Sequence, residues 1–272
     1  MSVLIIILSV LVIVFLLYIF AIHGRVGYTD FKNFKGVYYA HRGLFGGNVP
    51  ENSLLAFQLA NASGYGVEFD VHIMADGELA VIHDHSLLRT AGADVKIEDL
   101  TLKDLENYRL EGTDEKIPTL DSVLKIFNGE KPLIIELKSP PSQINRLCRA
   151  VCEKLKSYKG DYCIESFDPR CVYWFKKYSP ETIRGQLSEN YFTNHKIKLP
   201  FLLKFIMTFL LTNFLTKPDF VSYRFKNRKH ISNVLCKKLW KIQSVGWTID
   251  EYVDLEKAIS ENVIAIFEKI KP

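Results

Sequence analysis

Two histidines, four carboxylates and a lysine stand at the ends of the first apolar runs in this 272-residue chain. His41-Arg42-Gly43 closes the first run and Glu68-Phe69-Asp70 the second, while His83-Asp84 and Glu136-Leu137-Lys138 close two more. Glu68 and Asp70 are two apart, so on a strand they face the same side. Carboxylates sharing one side repel unless a cation joins them, and Glu136 adds a third oxygen donor. A carboxylate set without cysteine favours a hard ion, Ca2+ or Mg2+, over zinc. The competing reading is a set of structural salt bridges with Arg42 and Lys138. His41 and His83 form a pair that supplies one base and one acid near neutral pH, as cleavage of a phosphodiester without a covalent enzyme intermediate requires. A metal beside them would hold the phosphate oxygens and offset charge growing in the transition state. His72, His85, His195 and His230 have no partner pattern and read as structural or surface residues.

These groups need a frame that brings the ends of several strands to one place. After residue 36, short apolar runs alternate with helical patterns. The strand candidates are Val37–Ala40, Val67–Val71, Leu79–His83, Leu133–Leu137, Tyr162–Ser166, Ile183–Leu187, Phe220–Tyr223, Ile242–Trp247 and Val263–Phe267. Helical stretches lie at Ser53–Asn61, Gln143–Lys156, Pro169–Lys177, Ile231–Leu239 and Tyr252–Ser260. The link from Val71 to Leu79 is too short for a parallel crossover, so Leu79–His83 must fold back as a hairpin arm. Without that arm eight strands remain, which predicts a (β/α)8 TIM-type barrel with chemistry at the C-terminal strand ends. The stretch from about residue 86 to 118 reads as a small insertion after the hairpin.

Val3 to Ile22 is apolar except for Ser9 and Tyr18. About 20 helical residues span roughly 30 Å, the hydrocarbon thickness of a bilayer. Residues 1–24 therefore read as an uncleaved transmembrane anchor, because a cleaved signal peptide would want a positive start and a small-residue cleavage site. Positive charge follows the span at Arg25, Lys32 and Lys35, which predicts a single-pass protein of the cell membrane with its barrel, residues 37–272, in the cytoplasm. The net charge of +4 and the lack of an Arg-rich run argue against nucleic acid as a partner. Five scattered cysteines read as thiols rather than a disulfide framework.

The stretch from Ala40 to Lys138 resembles the glycerophosphodiester phosphodiesterase family, in a membrane-anchored bacterial form. The matching pieces, in the family's order and spacing, are His41-Arg42-Gly43, Pro50-Glu51-Asn52-Ser53, Glu68-Phe69-Asp70-Val71, Asp76-Gly77, His83-Asp84, Arg89-Thr90, Pro118-Thr119-Leu120 and Glu136-Leu137-Lys138. Weaker similarity continues through Ser166-Phe167 and Trp247-Thr248 to the last strand. The resemblance implies hydrolysis of glycerophosphodiesters to glycerol 3-phosphate and an alcohol. It implies His41 and His83 as the acid and base pair, and Glu68, Asp70 and Glu136 as ligands of one divalent cation. It also implies Arg42 and Lys138 as phosphate contacts, Glu51 as a metal-neighbour or glycerol contact, and Asp84 as a group orienting His83 or a neighbouring loop. The sequence departs from the family pattern at Met74-Ala75, at Ala91 and in the last strand, Ala265-Ile266-Phe267-Glu268. None of these removes a proposed ligand or histidine, but the last strand leaves the substrate pocket less defined. Trp247, Phe167 and Tyr223 lie near strand ends, where aromatic residues wall a pocket or pack the barrel.

A second apolar segment, Phe201 to Leu215, lies inside an insertion from Glu189 to Lys217. Lys204, Thr208, Thr212 and Thr216 recur every four residues along it, a narrow polar stripe on an apolar helix. This predicts a helix over about 199–216 lying in the membrane interface beside the mouth. With the anchor, that makes membrane lipid a partner and adds a lysophospholipid to the candidate substrates; no protein partner is implied. Two rival readings follow. One is a cyclising phospholipase or lyase on the same barrel, and the other a catalytically silent lipid-binding protein.

Overall fold

The computed structural model describes residues 3–25, 27, 31–138 and 140–272. Met1 and Ser2, the start of the expected anchor, lie outside them. Helix α1 (Val3–Ala21) is followed by strand β1 (Tyr39–His41), α2 (Leu54–Ala62), β2 (Gly66–Ile73) and β3 (Leu79–Val81). An insertion carrying the short helix α3 (Leu88–Ala91) leads to α4 (Leu120–Phe127), β4 (Leu133–Leu137), α5 (Ile144–Leu155), β5 (Tyr162–Ser166), α6 (Pro169–Tyr178) and β6 (Ile183–Ser188). Then come α7 (Phe201–Thr208), α8 (Asn213–Thr216), β7 (Phe220–Arg224), α9 (Ile231–Trp240), β8 (Gln243–Ile249), α10 (Tyr252–Ser260) and β9 (Val263–Phe267).

Eight strands pair in parallel, and the ring closes where β1 pairs with both β2 and β9. β3 pairs antiparallel with β2, as the short Val71–Leu79 link requires. The hairpin and closed barrel expected from the sequence are both present. α4 is a helix that the sequence reading left unnamed; Thr119 caps it through a capping box with Ser122.

The strand pleat builds two cores. Outward residues such as Val67, Phe69, Ile135 and Ile164 pack on the helices with Phe57, Phe127 and Leu147. Inward residues Tyr39, Ile134, Cys163, Phe220, Val245 and Ile266 fill the barrel. The insertion holds a small core of its own, with Met74, Ile82, Leu87, Ile97, Leu105 and Leu110 buried.

The apolar segment at 201–215 is not one helix. It breaks between α7 and α8, where Leu210 takes a left-handed φ of 57°. The threonines of the expected polar stripe turn inward: Thr208 and Thr216 are buried, and the Thr208 carbonyl accepts hydrogen bonds from Tyr223 and Ser232. The chain therefore presents Phe201, Leu202 and Leu203 to the outside. α7 sits at the C-terminal end of β6, where Ser188 Oγ donates to the Met207 carbonyl at 2.8 Å.

α1 is the described helix long and apolar enough to cross a membrane, and residues 3–17 are all exposed. Its end is built into the barrel flank. Ile22 is fully buried with Leu210, Val221, Tyr223, Cys236 and Ile242. Trp240 Nε1 donates to the Ile19 carbonyl at 3.1 Å, and Arg25 pairs with Asp219 at 2.5 Å.

Candidate active site

Residues two apart on a strand share a face, so each filler of the barrel has a partner nearer the mouth. Tyr39 is followed by His41, Ile134 by Glu136, Cys163 by Glu165, Val245 by Trp247 and Ile266 by Glu268. On β2, Glu68 and Asp70 occupy that face while Val67, Phe69 and Val71 pack outward. The mouth is thus an acidic and aromatic layer over an apolar floor.

Glu68, Asp70 and Glu136 are all buried and offer oxygen atoms within 4.8 Å of one another. Buried Glu165 adds a fourth carboxylate to the same cavity. Two cations reach the cluster. Lys138 Nζ stands 2.8 Å from Glu136 Oε1 and 3.2 Å from Asp70 Oδ1, and Arg42 Nε lies 3.5 Å from Asp70 Oδ2. Asn52 Nδ2 also donates to Asp70 Oδ2 at 3.0 Å. With all four carboxylates ionised, two cations would leave about two negative charges, the complement of one divalent ion. Burial and the neighbouring carboxylates push Glu68 well above the ordinary carboxylate range. Burial also raises Glu165 well above that range, and raises Glu136 to about 7 against the pull of Lys138. Asp70 goes the other way: burial is outweighed by Lys138, His83 and Arg42. Glu68 Oε2 is buried and has no hydrogen-bond partner among the described residues. An unsatisfied buried carboxylate oxygen in an oxygen-only set fits a hard divalent cation. The salt bridges to Arg42 and Lys138 exist, yet they leave that oxygen unmatched.

Both histidines are anchored through the same ring atom. His41 Nδ1 lies 2.8 Å from Glu268 Oε2, and His83 Nδ1 lies 2.6 Å from Asp84 Oδ1. A carboxylate accepts, so each Nδ1 carries the hydrogen and each Nε2 is left for chemistry. His41 Nε2 faces Glu68 Oε2 at 3.8 Å. Burial lowers both histidines, His83 to about 4, so each imidazole is neutral at neutral pH. The His41 hydrogen bond in turn lowers Glu268 to about 2.

The loop after β1 is tightly folded. Arg42 has a φ of 57° and Gly43 a φ of 82°, and a Cβ on Gly43 would meet the Ala56 backbone at 2.9 Å. Arg42 N–H donates to the Glu68 carbonyl at 2.7 Å, which fixes His41 and Arg42 against β2. Glu51 Oε1 accepts from Arg42 Nη1 at 2.9 Å and from Arg89 Nη2 at 2.6 Å. Arg89 also reaches Asp84 at 2.5 Å. Trp247 lines the cavity edge-on to Phe167, its indole N–H donating to the Ser222 carbonyl at 3.1 Å. Tyr223, by contrast, is buried on the flank behind Thr208.

The structure brings His41, Arg42, Glu68, His83, Glu136, Lys138 and Trp247 to one cavity, with Asp70 beside Glu68 and Glu136. Glu51 lies at its rim, held by two arginines. Sequence reasoning missed Glu165 and Glu268 as members. The signal was available, since each stands two residues beyond an inward apolar residue. It also left His72 and His85 unpartnered; both meet Glu98.

Residues 41–268 match the model of the glycerophosphoryl diester phosphodiesterase family. A glycerophosphodiester phosphodiesterase of Bacillus altitudinis is 33% identical over 153 residues, covering 52% of this chain and 62% of that protein. Lysophospholipase D GDPD1 of Rattus norvegicus is 34% identical over 144 residues, covering 48% of this chain and 44% of that protein. The matches thus span less than two thirds of either relative. A phosphodiesterase of Oleispira antarctica, solved with the product sn-glycerol-3-phosphate, superposes with a TM-score of 0.70 over 85% of this chain and 92% of that one, at 24% identity. With a family match over most of its length, on the barrel described above, the chain belongs to the glycerophosphoryl diester phosphodiesterase family.

Proposed function

We propose that this chain hydrolyses glycerophosphodiesters to glycerol 3-phosphate and an alcohol, using a divalent cation and the His41–His83 pair. The observation that carries this is the pairing of two carboxylate-anchored histidines with an over-charged carboxylate cluster at one barrel mouth. Glu68, Asp70 and Glu136 would hold the cation, Ca2+ or Mg2+. Once bound, that ion would supply positive charge to the phosphate oxygens.

The remaining work falls to the chain's own side chains. Arg42 and Lys138 would bind the phosphate, exchanging part of their contact with Asp70 and Glu136 for its oxygens. One histidine takes a proton from water at its Nε2 and the other gives one to the leaving alkoxide. Glu268 and Asp84 keep the Nδ1 hydrogens in place, so Nε2 of each ring points to the reacting groups, bare on the base and, on the acid, loaded with a proton from solvent before the leaving alkoxide takes it. Glu51, fixed by Arg42 and Arg89, borders the site as a contact for the glycerol hydroxyls or the metal's surroundings. Trp247 and Phe167 wall the pocket.

Turnover in isotope-labelled water tests the reaction type. Hydrolysis puts the label into glycerol 3-phosphate, whereas a cyclic phosphate product would establish internal attack by a substrate hydroxyl. No turnover of either kind, with intact lipid binding, would favour a silent lipid-binding protein.

Residues 1–24 are proposed as a single-pass anchor in the cell membrane, with the barrel of residues 37–272 on the cytoplasmic side. A second substrate class, lysophospholipid, is favoured by one observation. Phe201, Leu202 and Leu203 are exposed on α7, which borders the mouth at Ser188 and Tyr191, and Phe209 at the end of α7 meets Tyr18 of α1. An apolar face beside both anchor and mouth suits a substrate drawn from lipid.

A further inference from the structure

Three side chains from separate parts of the chain converge behind His83. They are His72 near the end of β2, His85 two residues past His83, and Glu98 in the 3-10 turn Ile97–Asp99 of the insertion. His72 is wholly buried, Glu98 is 6% exposed and His85 is half-exposed. Glu98 Oε1 lies 3.0 Å from His72 Nδ1 and 2.5 Å from His85 Nδ1. The two rings meet edge to face with centroids 4.8 Å apart.

The far side of the His72 ring decides the chemistry. His72 Nε2 lies 3.2 Å from the His83 carbonyl oxygen, which can only accept. The hydrogen is therefore assigned to Nε2. Glu98 Oε1 also only accepts, so it faces the Nδ1 atoms of both His72 and His85, and a cation bound there would take the place of the ring hydrogens on those two atoms.

We propose that His72, His85 and Glu98 form a second metal site, for a borderline divalent ion such as Zn2+, with a fourth position open to water. Two imidazoles and one carboxylate are a zinc donor set, unlike the oxygen-only cluster at the mouth. The hydrogen bond from His72 Nε2–H to a carbonyl is the outer contact that orients a metal-bound histidine. The frame is already built. Ile97 N–H donates to the His85 carbonyl and Leu87 N–H to the Val95 carbonyl, each at 2.9 Å, bringing the turn beside the histidines. An ion here clips the insertion to β2 and, through the His83 carbonyl, steadies the loop that carries His83 and Asp84.

The test is a Co2+ titration of the full-length, metal-stripped protein in detergent, read by visible d–d absorption and by bound metal per chain. Wild type is expected to bind a strongly absorbing, four- or five-coordinate cobalt ion that Zn2+ displaces. His85→Ala and Glu98→Gln should lose that absorption, and His85→Ala should weaken Zn2+ binding by about tenfold or more. Glu68→Gln should keep the absorption, which separates this site from the one at the mouth. A wild-type spectrum with only weak six-coordinate bands, or one unchanged by His85→Ala, overturns the proposal. Because the wild-type spectrum decides by itself, a variant that fails to fold does not blunt the test.

Discussion

His41 Nδ1 and Glu268 Oε2 lie 2.8 Å apart, although 227 residues separate them in sequence. The contact crosses the seam where β1 pairs with β9 and the barrel closes. Completion of the fold and orientation of the imidazole proposed for catalysis are therefore the same event at this point.

Glu268→Gln is expected to lower kcat by about ten- to a hundredfold with little change in KM, because it removes the carboxylate that orients His41. Burial lowers the His41 pKa, and the Glu268 hydrogen bond opposes that shift. Removing the carboxylate must lower it further. The limb of the kcat/KM pH profile that reports His41 should then move to lower pH, and Glu268→Asp should restore part of the rate. An unmoved pH profile would show that Glu268 serves packing alone.

His41→Ala and His83→Ala should each lose on the order of 10²-fold or more in rate while keeping the circular dichroism of the wild type. Both rings are only partly buried and stand at the mouth rather than in either core, so the fold should survive. Normal turnover in both variants would contradict the two-histidine mechanism.

Ile22→Ala should destabilise the protein by about 2–5 kcal/mol, the usual cost of emptying a buried aliphatic site. Ile22 is fully buried, and its carbonyl accepts from Asn213 and Cys236 at 3.2 and 3.3 Å. Leu11→Ala, at a position 60% exposed, should leave melting in detergent unchanged. Equal melting temperatures for both variants would show that the anchor's end does not brace the barrel. The same packing advises against cutting the chain at residue 26 to make a soluble form.

Phe201→Asp combined with Leu202→Asp should weaken binding of the protein to lipid vesicles and lower turnover of lysophospholipid more than turnover of glycerophosphocholine. These residues are 74% and 65% exposed, so the changes touch no core. Equal loss on both substrates would argue against a lipid-facing mouth.

Much of this site was legible in sequence because strand chemistry is local. Glu68 and Asp70 share a face by period two, and the short Val71–Leu79 link forces the hairpin that ends at His83. Glu268 escaped because its partner lies at the other end of the chain: its place two residues beyond Ile266 marks the face it shares, but not the contact that barrel closure makes with His41. Glu98 was hidden in an irregular insertion without periodicity, so its meeting with His72 and His85 depends on tertiary folding alone. The 201–215 segment shows the opposite failure. Its four-residue threonine spacing implied one continuous helix, but the Thr208 carbonyl accepts from β7 and α9, and the chain breaks at Leu210.

The central claim is that Glu68, Asp70 and Glu136 hold the divalent cation on which hydrolysis depends. The direct measurement is glycerol 3-phosphate release from glycerophosphocholine by the full-length protein in detergent, stripped of metal and then given Ca2+ or Mg2+. Release that returns with one of these ions, disappears with chelator and is absent in Glu68→Gln is the predicted result. Release that persists in chelator, or in Glu68→Gln at the wild-type rate, would contradict it.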